Sequence, residues 1–284
     1  MSIIFLGGDM RQKYACEYLN DKQIDSKVYL DILLDDKLTE EIKSSKIIVL
    51  PLPISKDGIY INSIFKTNMI ELSKILALIS KDQIVIGGKF SDNIKAVCLE
   101  RGIKYMDYFE DEAFQIQNAL LSAEGAIYYA KEKLSGCIYG SDVAVLGFGR
   151  IGKILAYLLR SQGAKITVYA RKGVDCTWSE LIGFKSVKIK NLALKSNMDF
   201  SGKHYDIIFN TIPYQIINDD VARDIDKNTL IVDLASAPYG IDTDIAQKYN
   251  LNYCRELSIP GRYAPKAAGK ILGNTIINIL KLED

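Results

Sequence analysis

The sequence predicts an α/β protein of two doubly wound parallel-sheet domains joined by a long helix. Three observations carry this expectation. Short β-branched and aliphatic runs alternate with polar segments of helical spacing, the alternation pauses over a long proline-free stretch, and it restarts on a strand that ends in a glycine-rich turn. The strand runs are apolar throughout, as a sheet covered by helices on both faces requires.

In the first half, the apolar runs at 3–6, 26–30, 46–50, 84–86 and 103–105 read as strands. Amphipathic spacing predicts helices over 9–20, 68–79 and 92–101, the last capped by Ser91 or Asp92. Over 111–134 there is no proline, and the apolar spacing predicts one long helix that stops at Ser135-Gly136. The rhythm resumes with strands at 142–146, 165–169, 206–210, 229–234 and 251–254. Helices are expected over 151–161 and 265–280, with Pro265 suited to a first turn. The expected domains are 1–115, completed by the C-terminal helix 265–284, then a linker helix 116–138, then 139–264.

A chain of 284 residues has room for two ordinary cores. Its 36 basic and 35 acidic side chains nearly cancel, which argues against a nucleic-acid or membrane surface. The cysteines Cys16, Cys98, Cys137, Cys176 and Cys254 are odd in number and widely spaced, so they read as free thiols in a reducing cytoplasm. Neither a disulfide framework nor a zinc or other metal site is expected. The strand run at 3–6 leaves no room for a signal peptide, and the other apolar runs are too short to span a bilayer, so the expected location is cytoplasmic.

The turn Gly147-Phe148-Gly149-Arg150-Ile151-Gly152 follows the strand run Val143-Ala144-Val145-Leu146 and opens a predicted helix. A G-x-G-x-x-G pattern in that setting reads as the dinucleotide site of a Rossmann domain. The first glycine makes the turn, the second lets backbone approach a pyrophosphate, and the third packs helix on strand. The backbone through Arg150 and Ile151 then offers N–H groups and a positive dipole end to the phosphates. At the end of the next strand an NAD site would hold a carboxylate for the ribose, whereas this chain has Ala170-Arg171-Lys172. Two cations suit a 2′-phosphate, so NADP is the expected cofactor, although both also read as ordinary loop charges.

Several further segments keep their order along nearly the whole chain. They are Gly7-Gly8-Asp9-Met10-Arg11, Leu50-Pro51-Leu52-Pro53, Ser122-Ala123-Glu124-Gly125, Asn210-Thr211-Ile212-Pro213, Asp233-Leu234-Ala235-Ser236 and the stretch 260–269 beginning Pro260-Gly261-Arg262-Tyr263. Together they resemble the A-subunit family of dipicolinate synthase. The resemblance implies NADP-dependent oxidation of 2,3-dihydrodipicolinate to dipicolinate during sporulation, in the mother-cell cytoplasm. It also implies a heteromeric complex with the enzyme's smaller, flavoprotein-like B-subunit, and leaves a homo-oligomer open. One departure is Ala235-Ser236-Ala237-Pro238-Tyr239-Gly240, where relatives carry two glycines after the proline; Tyr239 adds a side chain to that loop.

In a doubly wound sheet the ligand lies beyond the carboxyl ends of the strands, so the residues just after each strand matter most. A planar dicarboxylate calls for cationic and N–H-rich partners, and Arg11, Arg262 and Lys266 fit that need, with Ser236 as a hydroxyl donor. Each also reads as a surface charge or a loop-stabilising hydroxyl. Asn210 and Thr211 are expected to line the cofactor channel, and Glu124 reads either toward the cleft or as a solvated helix charge. No residue stands out as a general base. The single histidine, His204, is expected at the amino end of a strand, away from the site. That placement counts against a D-2-hydroxyacid dehydrogenase, which needs a histidine–carboxylate pair, and against an adenosylhomocysteine hydrolase. A second reading is that of a nucleotide-binding and regulatory subunit whose chemistry is completed by the flavoprotein-like partner.

Overall fold

The computed structural model describes residues 2–65, 68–134, 136–189, 200 and 202–281. The chain divides into two units, Met1–Asn118 with Pro260–Asp284 and Ala119–Ile259, so that the last helix belongs to the first unit. The division falls inside one long helix, and the connection expected over 116–138 is helical over Glu112–Lys133.

The first unit runs β1 (Ile3–Leu6), α1 (Met10–Asp21), β2 (Ser26–Tyr29), α2 (Asp36–Ser44), β3 (Ile47–Val49), α3 (Leu72–Leu78), β4 (Ile84–Gly87), α4 (Asp92–Glu100) and β5 (Lys104–Asp107), then enters α5 (Glu112–Lys133). Its five strands are all parallel, in the order β2-β1-β3-β4-β5, a doubly wound arrangement whose chain direction reverses between β1 and β3. Successive residues of each strand bury on opposite faces. Ile4, Leu6, Ile48, Leu50 and Val85 pack with Leu38, Ile42, Leu72 and Ile75, while Ile3, Phe5, Ile47, Val49 and Ile86 pack with Ala15, Leu19, Leu272 and Ile276. Both faces are covered, which is why the strands read as unbroken apolar runs.

The second unit continues with β6 (Asp142–Leu146), α6 (Arg150–Ser161), β7 (Lys165–Ala170), α7 (Gly173–Leu181), β8 (Lys185–Lys188), β9 (Ile207–Asn210), α8 (Asp219–Arg223), β10 (Leu230–Asp233), α9 (Thr243–Lys248) and β11 (Tyr253–Arg255). Its six parallel strands lie in the order β11-β10-β9-β6-β7-β8, the dinucleotide-binding arrangement with its switch point between β6 and β9. The chain then returns to the first unit through α10 (Ile259–Tyr263) and α11 (Pro265–Leu280). α11 lies along α1: Tyr18 Oη donates to Asn274 Oδ1 at 2.5 Å, and Gly269 sits where a Cβ would meet Tyr14.

Four elements of the second unit, α7, β8, α8 and α9, go beyond the sequence expectation, as do α2 of the first unit and the short α10 on the return to it. α2 buries only Leu38 and Ile42, too few for a clear helical stripe, but Asp35 caps it by accepting from Leu38 N at 2.8 Å. β8 is a polar edge strand, Lys-Ser-Val-Lys, held by β7 alone. α7, α8 and α9 are short, and each gains its place from packing against the sheet. The helix expected over 68–79 shortens to Leu72–Leu78. Among the described residues no helix is long and apolar enough to cross a membrane, and no group of metal-ligating side chains is arranged around a common point.

Candidate functional site

In the second unit the glycine turn sits at the end of a fully buried stretch of β6, at the carboxyl edge of the sheet. Gly147 has φ +99°, and a Cβ there would fall on Thr211 Oγ1, so only glycine fits. Thr211 donates to Leu146 O at 2.9 Å and thereby closes the turn from the β9 side. A Cβ on Gly152 would fall on Gly147 O, which is how closely α6 approaches the turn. Gly149 is different: nothing lies within 4 Å of a Cβ built there, and as N-cap of α6 it supplies no side-chain hydrogen bond. The protein's own packing does not need that glycine. A pyrophosphate drawn to the uncapped helix end would. Arg150 and Ile151 form the first turn of α6 behind it.

β7 ends at Ala170, and Arg171 and Lys172 follow as exposed residues with no ion pair among the described residues. The pairing of β7 with β8 sets Lys188 opposite Ala170, and Lys188 Nζ lies 4.0 Å from where a Cβ on Gly173 would sit. A third cation thus joins the pair. Strand pairing supplies it, so no local motif points to Lys188.

Asn210 does not line an open channel. It is fully buried; its amide nitrogen donates to Asp233 Oδ1 at 2.8 Å and to Ile212 O at 3.1 Å, and its oxygen accepts from Ile212 N. It is the last residue of β9, and its bond to Asp233, opposite it on β10, holds its side chain in the sheet layer. Asp233, also fully buried, accepts from Ala235 N at 3.1 Å, Gly240 N at 2.8 Å and Tyr253 Oη at 3.3 Å. That carboxylate pins both ends of the loop after β10, and an exposed Ser236 stands on it. Burial, followed by the neighbouring Asp233 charge, pushes the Tyr253 hydroxyl up to about 12, so it stays protonated and able to donate.

In the first unit, Asp9 is the N-cap of α1 and accepts from Arg11 N at 2.9 Å. The Arg11 guanidinium grips the same carboxylate, Nε to Oδ1 at 2.9 Å and Nη2 to Oδ2 at 2.8 Å, and Nη2 also donates to Leu52 O at 3.2 Å. The fork expected to hold a substrate carboxylate is therefore already filled by Asp9, which stands two residues before it at the helix start. Burial pushes the Asp9 carboxyl up, but the hydrogen bonds and charge of Arg11 outweigh it and hold the group below the usual range. A Cβ on Gly261 would come within 2.7 Å of Asp9 Oδ2, so the 260–269 segment packs directly on this pair. Arg262, on α10, is exposed and lies 5.2 Å from the Tyr263 ring centroid; Lys266 is exposed in the first turn of α11. Gln12 is buried beside the pair, and its Nε2 has no hydrogen-bond partner among the described residues.

Glu124 is exposed on α5. His204 lies before β9, at the amino edge of the sheet, 60% exposed, with Nδ1 3.2 Å from Asp226 Oδ2. It is remote along its strand from the carboxyl edge where the glycine turn sits.

Residues 2–109 match the family model for the N-terminal domain of the dipicolinate synthase A-subunit. Over 291 aligned residues, 99% of this chain and 96% of the relative, the sequence is 30% identical to the dipicolinate synthase A-subunit of Bacillus subtilis. The crystal structure of the dipicolinate synthase A-subunit from Bacillus halodurans superposes with a TM-score of 0.83 at 25% identity, covering 98% of this chain and 97% of that one. The D-lactate dehydrogenase of Escherichia coli shares the fold, with a TM-score of 0.64 at 14% identity over 100% of this chain and 97% of that one. By sequence along its full length, and by architecture, the chain belongs to the dipicolinate synthase A-subunit family.

Proposed function

We propose that this chain is an NADP-dependent oxidoreductase that converts 2,3-dihydrodipicolinate to dipicolinate, acting with a flavoprotein-like B-subunit in the mother-cell cytoplasm during sporulation. The observation that carries the reading is the uncapped start of α6 beside a β7 end that offers Arg171, Lys172 and Lys188 in place of a carboxylate. The names of the relatives supply the product, dipicolinate.

Gly149 and the first turn of α6 would hold the pyrophosphate, and the three cations the 2′-phosphate. When bound, the nucleotide supplies the hydride acceptor. Aromatisation of the substrate ring makes the accompanying proton easy to lose, so a water or a single carboxylate suffices and no imidazole is needed. The position of His204 agrees with that and disfavours hydroxyacid chemistry. Ser236, Arg262 and Lys266 are exposed and serve as donors to the substrate carboxylates; Arg11 keeps only its Nη1 edge for that purpose, since Asp9 and Leu52 occupy the rest.

One observation favours the alternative of a nucleotide-binding subunit that needs its partner for chemistry: the charge of Arg11 is neutralised within the chain. Assay of the purified chain, with and without the flavoprotein-like partner, on freshly generated dihydrodipicolinate separates the two. The expected result is an NADP-dependent rise in dipicolinate absorbance. Its absence from the complete complex overturns the proposal, and turnover by this chain alone rejects the alternative.

A further inference from the structure

We propose that Arg255 is the cation of the second unit that receives a carboxylate of the substrate, held for that task by Tyr239; the assignment rests on the dicarboxylate reading above. Arg255 ends β11, opposite Asp233 in the register, at the same carboxyl edge as the glycine turn. It lies on the β9-β10-β11 side of the switch point, opposite the Arg171 side, which is where the reacting half of a dinucleotide and its substrate lie in this arrangement.

Three features separate it from an ordinary surface arginine. Its guanidinium carbon stands 3.7 Å from the centroid of the Tyr239 ring, a close stack that leaves one face of the cation unhydrated. Its hydrogen bonds are to neutral groups, Nε to Tyr253 Oη at 3.1 Å and Nη2 to Ile241 O at 3.4 Å, and among the described residues no carboxylate pairs with it. Asp233 is reached only through the Tyr253 hydroxyl. Stacking uses the face of the guanidinium and leaves in-plane N–H capacity for a planar acceptor, Nη1 making none of the hydrogen bonds above.

The loop that presents Tyr239 is built at a cost. Tyr239 has φ +67°, a conformation L side chains rarely adopt, and Tyr239 N donates to Ser236 O at 2.9 Å to close the turn. The Asp233 carboxylate fixes both ends of that loop. A strained tyrosine kept on a braced loop, with its ring laid against an unpaired cation, describes a preorganised anion receptor. Ser236 stands on the same loop as an adjacent hydroxyl donor.

The test is calorimetric titration of the full-length, NADP+-loaded chain with pyridine-2,6-dicarboxylate and with pyridine-2-carboxylate. In the wild type the dicarboxylate should bind more tightly. Arg255→Gln should weaken the dicarboxylate by about tenfold, the scale of one charge-assisted hydrogen-bonded pair, and erase most of its advantage over the monocarboxylate. Affinity for NADP+ should be unchanged. Arg255→Lys keeps the cation without the fork and should fall between; it also carries the test if the glutamine variant does not fold. Full dicarboxylate preference in either variant overturns the assignment while leaving the dehydrogenase reading intact. A parallel loss of NADP+ affinity also overturns it, since Arg255 would then act by holding the loop. Failure of the wild type to bind either pyridine overturns the dicarboxylate reading itself, and the assignment with it.

Discussion

The β1–α1 and β6–α6 segments are built alike, with a buried strand, a glycine of positive φ and a helix of 12 residues, yet their helix N-termini are treated in opposite ways. α1 starts on Asp9, a carboxylate that belongs to the chain and is clamped by Arg11. α6 starts on Gly149, with no side-chain cap and open space beside it. The positive end of a helix favours an anion in each case. In the first unit that anion is an internal fastener; in the second the seat is left open, and the proposed function fills it with a ligand. One architecture thus serves stability at one turn and binding at the other, and the choice depends on a single residue at the N-cap.

The sharpest way to break the binding turn is Gly152→Ala. The added Cβ falls on Gly147 O, backbone that cannot swing aside, so α6 must shift off the turn. Overpacking of this kind costs up to about 3 kcal/mol of stability; with the turn displaced from the phosphates, nucleotide affinity should fall by about a hundredfold, which fluorescence titration with NADPH measures. The same titration on Gly149→Ala separates packing from ligand contact. That Cβ meets no protein atom, so the fold should be untouched while the pyrophosphate is crowded and binding falls.

Asp9→Ala should break the fastener at a similar scale. It removes the cap and leaves a mostly buried Arg11 unpaired, for about 3 kcal/mol of lost stability in denaturant unfolding, the low end for a broken buried pair because both side chains keep some exposure. NADPH binding should be unaffected by it. The pair also predicts a pH dependence. The Asp9 carboxyl is held below its unfolded value, so its contribution is fully present above about pH 4 and is lost as pH falls through the folded value. In Asp9→Asn, which keeps a capping oxygen, the acid-side fall in stability should flatten relative to the wild type.

How much of this is legible in the sequence follows from the same contrast. Features that depend on residues close along the chain can be read: the apolar strand runs, the strand-turn-helix around Gly147, and the Arg171-Lys172 pair. Features that depend on which strands lie side by side cannot. Lys188 reaches Gly173 only because β8 pairs with β7, and Gly261 meets Asp9 only because the C-terminal segment returns to the first unit. Asn210 departs from its expected place for a related reason. As the last residue of a strand its side chain can face either outward or into the layer, and the buried Asp233 on the next strand decides for the latter. The position of Arg11 shortly after β1 suggests a ligand contact, but Asp9, two residues before it, takes the fork. Arg255 carries no local motif, and its significance depends on the ring of Tyr239, sixteen positions earlier, folding back over it.

The smallest expected effect concerns the choice between the two nicotinamide nucleotides. Arg171, Lys172 and Lys188 are solvated side chains, and on the proposed reading each would contribute only a screened contact to a 2′-phosphate. Arg171→Ala should raise the NADPH dissociation constant by about tenfold, the scale of one charge-assisted contact, and leave NADH unchanged. Lys188→Ala should do the same by about threefold, because a lysine meets phosphate as a point charge without the fork. Both differences should shrink as salt is raised, since the cations are exposed. Equal losses for NADPH and NADH in either variant would move that side chain from the 2′-phosphate to the turn itself, and with it the basis for choosing NADP.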